Sequence, residues 1–237
     1  MSHPLFANST TIIQHVTNAG YRGGTFPNPE DNLNAEVMQA AQNTISSWPD
    51  YAPTPLLSLA PVANLCGVGA VYYKDESHRF GLKSFKALGG AYAVAQLVDA
   101  EKKAGRDPAQ LTVTTATDGN HGRSLAWGAQ AAGCRAEIYI HQHVSSAREI
   151  AMANCGANVT RVNGNYEASL AACKADAEAH GWHIVSDTSW TGYRNIPMLI
   201  MAGYTLMGQE VIKQLGANKL THCFLPIGVG GFAGGIV

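Results

Sequence analysis

Between Ala70 and Asp187 the chain switches repeatedly from short β-branched or aromatic runs to longer stretches with helical spacing, a rhythm that few folds accommodate. Ala70 to Lys74 reads as a strand, Phe85 to Lys103 as a helix, Leu111 to Thr117 as a strand and Asn120 to Ala132 as a helix. Ala136 to His141 (strand), Ser145 to Cys155 (helix), Asn158 to Asn163 (strand), Tyr166 to His180 (helix) and His183 to Asp187 (strand) continue it. Strands separated by single helices need crossover connections, which predicts an α/β fold whose parallel sheet is flanked by helices on both faces.

The flanks read differently. Residues 1 to about 30 are rich in Asn, Thr, Gly and Pro and predict an irregular arm. Asn32 to Trp48 has helical spacing, closed off by Pro53 and Pro55. A last long helix is expected from Ile196 to Leu215, with Pro197 in its first turn and Gly216 as its stop. It feeds an apolar segment, Thr221 to Ile227, that reads as a strand.

With 46% hydrophobic residues among 237, the chain can bury a sizeable core. A formal net charge of -1, from 16 basic and 17 acidic side chains, offers no broad attraction for nucleic acid or an anionic membrane. Small molecules and further copies of the chain are the expected partners. Five cysteines, an odd number without a Cys-x-x-Cys pair, suit a reduced, cytoplasmic setting. No basic, apolar leader opens the sequence and no apolar run reaches the roughly 20 residues that span a bilayer, so neither export nor membrane insertion is expected.

Three motifs carry chemistry. In Ser84-Phe85-Lys86, a lysine stands just before the small, uncharged run Ala87-Leu88-Gly89-Gly90-Ala91. Keeping a lysine neutral at pH 7 costs about 4–5 kcal/mol unless burial helps, and covalent attachment to an aldehyde cofactor removes that difficulty. Lys83 competes for the role, but a helix starting near Phe85 points the two lysines apart. In Thr117-Asp118-Gly119-Asn120-His121-Gly122, a strand turns into a helix at the carboxyl edge of the sheet, where such folds bind ligands. Asn120 has a donor for a ring oxygen, and Asp118 is a proton acceptor if its surroundings bury it; either side chain is equally suited to capping the helix. His121 reads as a structural group, and His141-x-His143 lacks a third ligand, so no metal site is expected. Finally, Gly228-Val229-Gly230-Gly231 follows an apolar run and offers consecutive N–H groups to a phosphate. A reactive lysine, a ring-holding turn and a phosphate-holding loop, in this order, read as a site for pyridoxal 5'-phosphate.

These stretches, with Tyr51-Ala52-Pro53-Thr54-Pro55-Leu56, Lys74-Asp75-Glu76-Ser77 and the run from Arg79 to Tyr92, resemble the fold type II pyridoxal phosphate enzymes, the tryptophan synthase β-like group that includes threonine deaminase. Within it the pattern is most similar to the diaminopropionate ammonia-lyases, because Asp118 stands where most relatives carry serine. The resemblance implies two lobes, a larger cofactor lobe from residues 1–86 and 191–237 and a smaller α/β lobe from 87–190, with the cofactor between them. It implies that Lys86 is the Schiff-base lysine, that Asn120 partners the ring hydroxyl and that Gly228, Val229, Gly230 and Gly231 cradle the phosphate. Asp118 would take the α-proton of a D-configured substrate, Lys86 that of the L form, and Asp187 would contact the substrate amino group. The implied reaction is α,β-elimination of 2,3-diaminopropionate to pyruvate and ammonia in a homodimer. Members are markedly longer, so the chain is expected to be C-terminally truncated. The alternatives are a threonine or serine dehydratase and a non-catalytic fragment that keeps the fold.

Overall fold

A computed structural model describes residues 33–237; the irregular arm expected over 1 to about 30 lies outside them. Helix α1 (Ala35–Ser46) starts where the Asn34 side chain accepts the Val37 N–H at 2.9 Å. Strand β1 (Leu56–Ser58), helix α2 (Ala60–Cys66) and strand β2 (Tyr72–Lys74) follow, with β1 and β2 paired antiparallel through Leu56 opposite Lys74. The β1 strand and α2 were not anticipated from the sequence. Proline-bracketed strands of three residues carry too little periodicity to be seen.

From there the structure keeps the predicted alternation: α3 (Lys86–Lys103), β3 (Thr112–Ala116), α4 (Asn120–Ala132), β4 (Arg135–His141), α5 (Ser146–Ala153), β5 (Asn158–Val162), α6 (Tyr166–His180) and β6 (His183–Ile184). The four strands form a parallel sheet in the order β5-β4-β3-β6. Because strand residues alternate faces, Val113, Ile138 and Ile140 enter the main core beside Leu125 and Ala129 of α4, whereas Ala116 and Tyr139 turn to Cys173 of α6. The sheet is thus covered on both sides, and β3 is buried along its whole length although three of its five residues are threonines.

Helix α7 (Asn195–Leu215) packs against α1 and α3, and the short α8 (Gly231–Ile236) packs against α7. The α7–α3 approach is close enough that a Cβ on Gly203 would lie 2.2 Å from the Leu88 carbonyl oxygen, which only glycine allows. One expectation is corrected: Thr221 to Ile227 is not a strand. Among the described residues no neighbouring strand pairs with it, and Phe224 and Ile227 are 92% and 70% exposed. An apolar, β-prone segment forms a strand only where a partner accepts its main-chain bonds.

Candidate active site

The carboxyl ends of β3, β4 and β6 open toward one edge of the sheet; His141 ends β4, and Asp118 and Asp187 lie two and three residues beyond β3 and β6. Lys86 reaches this edge from the first residue of α3. Its N–H donates to Ser84 Oγ at 3.2 Å, and its carbonyl accepts from Ser124 Oγ of α4 at 2.6 Å. Ser124 Oγ also accepts the Ala91 N–H at 3.2 Å. A Cβ on Gly90 would come within 2.5 Å of that hydroxyl, so the glycine lets α4 grip the start of α3.

The Lys86 ammonium lies 2.5 Å from Asp187 Oδ2, with the two side chains 23% and 19% exposed. Both line a cleft of about 290 Å³ that is also bordered by Gly228, Val229, Gly230 and Gly231. Gly230 has φ +89°, a left-handed conformation that suits glycine. Among the described residues, the main-chain N–H groups of these four make no main-chain hydrogen bond. Phe85, Tyr204 and Phe232 form an aromatic wall, with the Phe85 and Phe232 ring centres 4.2 Å apart.

The electrostatics follow from burial and neighbours. Burial works against the Asp187 carboxylate, yet the neighbouring imidazole of His121 and the Lys86 ammonium with its hydrogen bond override it and hold the carboxyl below the ordinary range. Burial pushes the His121 imidazole down, with Lys86 adding to the effect and Asp187 and the Val185 carbonyl opposing it. His121 is therefore neutral near pH 7, and Lys86 is the cation that matters to Asp187 there. His121 Nε2 lies 2.8 Å from the Val185 oxygen; since a carbonyl only accepts, Nε2 carries the proton and buried Nδ1 is left without a partner among the described residues. The Tyr204 hydroxyl is likewise buried without a partner, and burial, with Asp187 contributing, keeps it protonated.

The structure brings Lys86, Asp187 and the 228–231 loop together; Asp118 and Asn120, at the start of α4, stand outside that cleft lining. The burial on which a proton-accepting role for Asp118 was conditional is not found: its side chain is 64% exposed, and Oδ1 accepts from His141 Nε2 at 3.0 Å. Neither residue caps α4. Thr117 Oγ1 does so, accepting the Gly119 and Gly122 N–H groups at 3.1 and 3.2 Å. Lys83 is exposed and outside the lining. His121, Tyr204 and the aromatic wall were not assigned to the site from the sequence, because their contacts join segments far apart in the chain. Among the described residues no group of three metal-ligating side chains is present.

Residues 48–237 match the family described as pyridoxal-phosphate dependent enzyme. The diaminopropionate ammonia-lyase of Escherichia coli (strain K12) is 41% identical over 200 residues, covering 79% of this chain and 50% of that protein. The crystal structure of Escherichia coli diaminopropionate ammonia lyase in apo form aligns with a TM-score of 0.81 at 40% identity, over 86% of this chain and 58% of that one. Its complex with D-serine aligns with a TM-score of 0.80 at 38% identity, over 86% and 56%. This chain spans about half the length of the curated relatives it matches. Motifs, cleft and likenesses agree, and the chain belongs to the pyridoxal-phosphate dependent enzymes, in their fold type II form.

Proposed function

We propose that this chain carries the Lys86 half-site of a pyridoxal phosphate-dependent ammonia-lyase that eliminates ammonia from 2,3-diaminopropionate to give pyruvate. The observation that carries the reading is the shared cleft, bordered by Lys86 and by four consecutive loop residues whose N–H groups make no main-chain hydrogen bond among the described residues. Those residues fit the family's cofactor: Lys86 would hold its aldehyde and the 228–231 loop its phosphate, while Asn120, outside the cleft lining, would have to be met by its ring hydroxyl beyond that lining. The cofactor lies, on this reading, between the larger lobe of 1–86 and 191–237 and the smaller lobe of 87–190.

When bound, pyridoxal phosphate draws electron density from the substrate α-carbon. The protein orients the substrate and moves protons. Asp187, now held by Lys86, offers its carboxylate to the substrate ammonium once that lysine is engaged. Lys86 accepts the α-proton of the L form. Asp118 would accept that of the D form only once a bound ligand covers its exposed carboxylate; the complex of the Escherichia coli relative with D-serine supports a D-configured ligand. The Phe85, Tyr204 and Phe232 rings give the cleft an apolar wall. Five free cysteines support a reducing, cytoplasmic setting, and the exposed Phe224 and Ile227 support burial in a homodimer.

The test is to titrate the protein with pyridoxal phosphate, follow visible absorbance, and assay both isomers of 2,3-diaminopropionate. A visible band lost in Lys86→Ala, with pyruvate formed from the substrate, is expected. A band accompanied by 2-oxobutyrate from threonine and no pyruvate from either isomer makes the protein a dehydratase. A band without turnover of any of these leaves only binding and overturns the lyase.

A further inference from the structure

Strand β6 pairs with β3 over only Val113–His183 and Thr114–Ile184, and the last main-chain bond between them runs from Val185 N–H to the Thr114 oxygen at 2.8 Å. Asp187 lies two residues beyond, where no strand remains to hold the chain. Side chains hold it instead. On the β3 side, His121 Nε2–H donates to the Val185 oxygen. On the other side, alternation turns the Ile184 carbonyl and the Ser186 N–H outward, toward the place a fifth strand would occupy. There the Tyr193 hydroxyl donates to the Ile184 oxygen and accepts the Ser186 N–H, both at 2.8 Å. One phenol thus makes the bond pair of an absent strand.

Tyr193 is itself fixed. Its ring stacks on Trp190 with centres 3.9 Å apart and planes 7° from parallel, and the two residues bond reciprocally through their main chains across a turn in which Gly192 has φ +84°. Inside that loop the Thr188 N–H donates to Ser186 Oγ at 3.2 Å. The chain on both sides of Asp187 is therefore immobilised, and the carboxylate is presented to Lys86 at 2.5 Å.

We propose that Tyr193 is a positioning residue, whose hydroxyl closes the open edge of β6 so that Asp187 meets Lys86. The proposal deepens the functional reading above, since it assigns Tyr193 to the Lys86–Asp187 pair, but its geometry does not need the cofactor. Tyr193→Phe keeps the ring stack and removes both hydrogen bonds.

The test is competitive acetylation of the cofactor-free protein, read lysine by lysine by peptide mass spectrometry, in the parent, Tyr193→Phe, Asp187→Asn and the double variant. Ion pairing to Asp187 protects the Lys86 amine, so each single change is expected to raise Lys86 labelling roughly five- to tenfold, and the double no further. Lys74, buried in a separate ion-pair network, should label as in the parent. Lys86 labelling unchanged in Tyr193→Phe, effects that multiply in the double variant, or a parallel rise at Lys74 would each overturn the positioning role. A parallel pyridoxal phosphate titration keeps the two ideas apart: a parent protein with no visible band sinks the lyase and leaves the labelling result standing.

Discussion

Lys86 owes its place to main-chain bonds as much as to its ion pair. Ser84 takes its N–H and Ser124 its carbonyl, while Phe80 and Lys83 just upstream hold φ values of +48° and +55° that cost non-glycine residues about 1–2 kcal/mol each. Strain of this kind persists where both ends of a segment are pinned. His121 gives the residue scale a measurable signature. Its folded pKa is depressed by burial, so the unfolded chain binds a proton near the ordinary value of 6.5 that the folded chain refuses. The stability tied to neutral His121 is complete above that pH and is lost as pH falls below it toward the folded pKa. The melting temperature should therefore drop as pH falls through that window, and His121→Gln, which keeps a donor for the Val185 oxygen, should flatten the drop. An equally steep profile in the variant would show that other groups set it.

At the level of elements, α7 contains two glycines with opposite meanings. Gly203 faces the Leu88 carbonyl at a distance no Cβ tolerates, whereas a Cβ on Gly208 would meet only Ile236 Cδ1 at 3.6 Å. Gly203→Ala is expected to destabilise by at least about 1–3 kcal/mol through overpacking, and Gly208→Ala to stabilise by up to about 1 kcal/mol through helix propensity. Urea midpoints of the two variants on opposite sides of the parent would bear this out. The same contrast explains what was legible in the sequence. The helices and strands from α3 to α6 were legible because each buries a face whose spacing is written locally. Thr221 to Ile227 has the composition of a strand, but pairing depends on a neighbour its own residues do not specify. The lysine and the glycine loop announced their chemistry through residue type alone. The pairing of Lys86 with Asp187 spans 101 positions and that of His121 with Val185 spans 64, and no local pattern encodes such a meeting.

For the molecule as a whole, one buried ion network ties the segment before the site to α7. Arg79, whose side chain is 1% exposed, binds both oxygens of Glu210 at 2.8 Å, and Lys74 adds a contact at 2.7 Å. Tyr51 and Thr54 also donate to Glu210, so a single carboxylate on α7 gathers groups 131 to 159 positions away. Burial alone would favour the neutral acid, but the Arg79 and Lys74 bonds and charges hold the Glu210 carboxyl below its ordinary 4.5. A depressed carboxylate contributes stability that is fully present above the unfolded value and is lost as pH falls through the folded one. Removing the charge while Arg79 stays buried should be severe: Glu210→Gln is expected to cost about 3–5 kcal/mol at neutral pH. Because that variant has no carboxyl to protonate, its stability should also fall less steeply than the parent's below pH 4.5. Guanidinium unfolding of both proteins from neutral to acid pH checks the two effects together. A variant within about 1 kcal/mol of the parent at neutral pH would mean that solvent readily replaces Glu210, and that the network does not anchor the segment leading to Lys86.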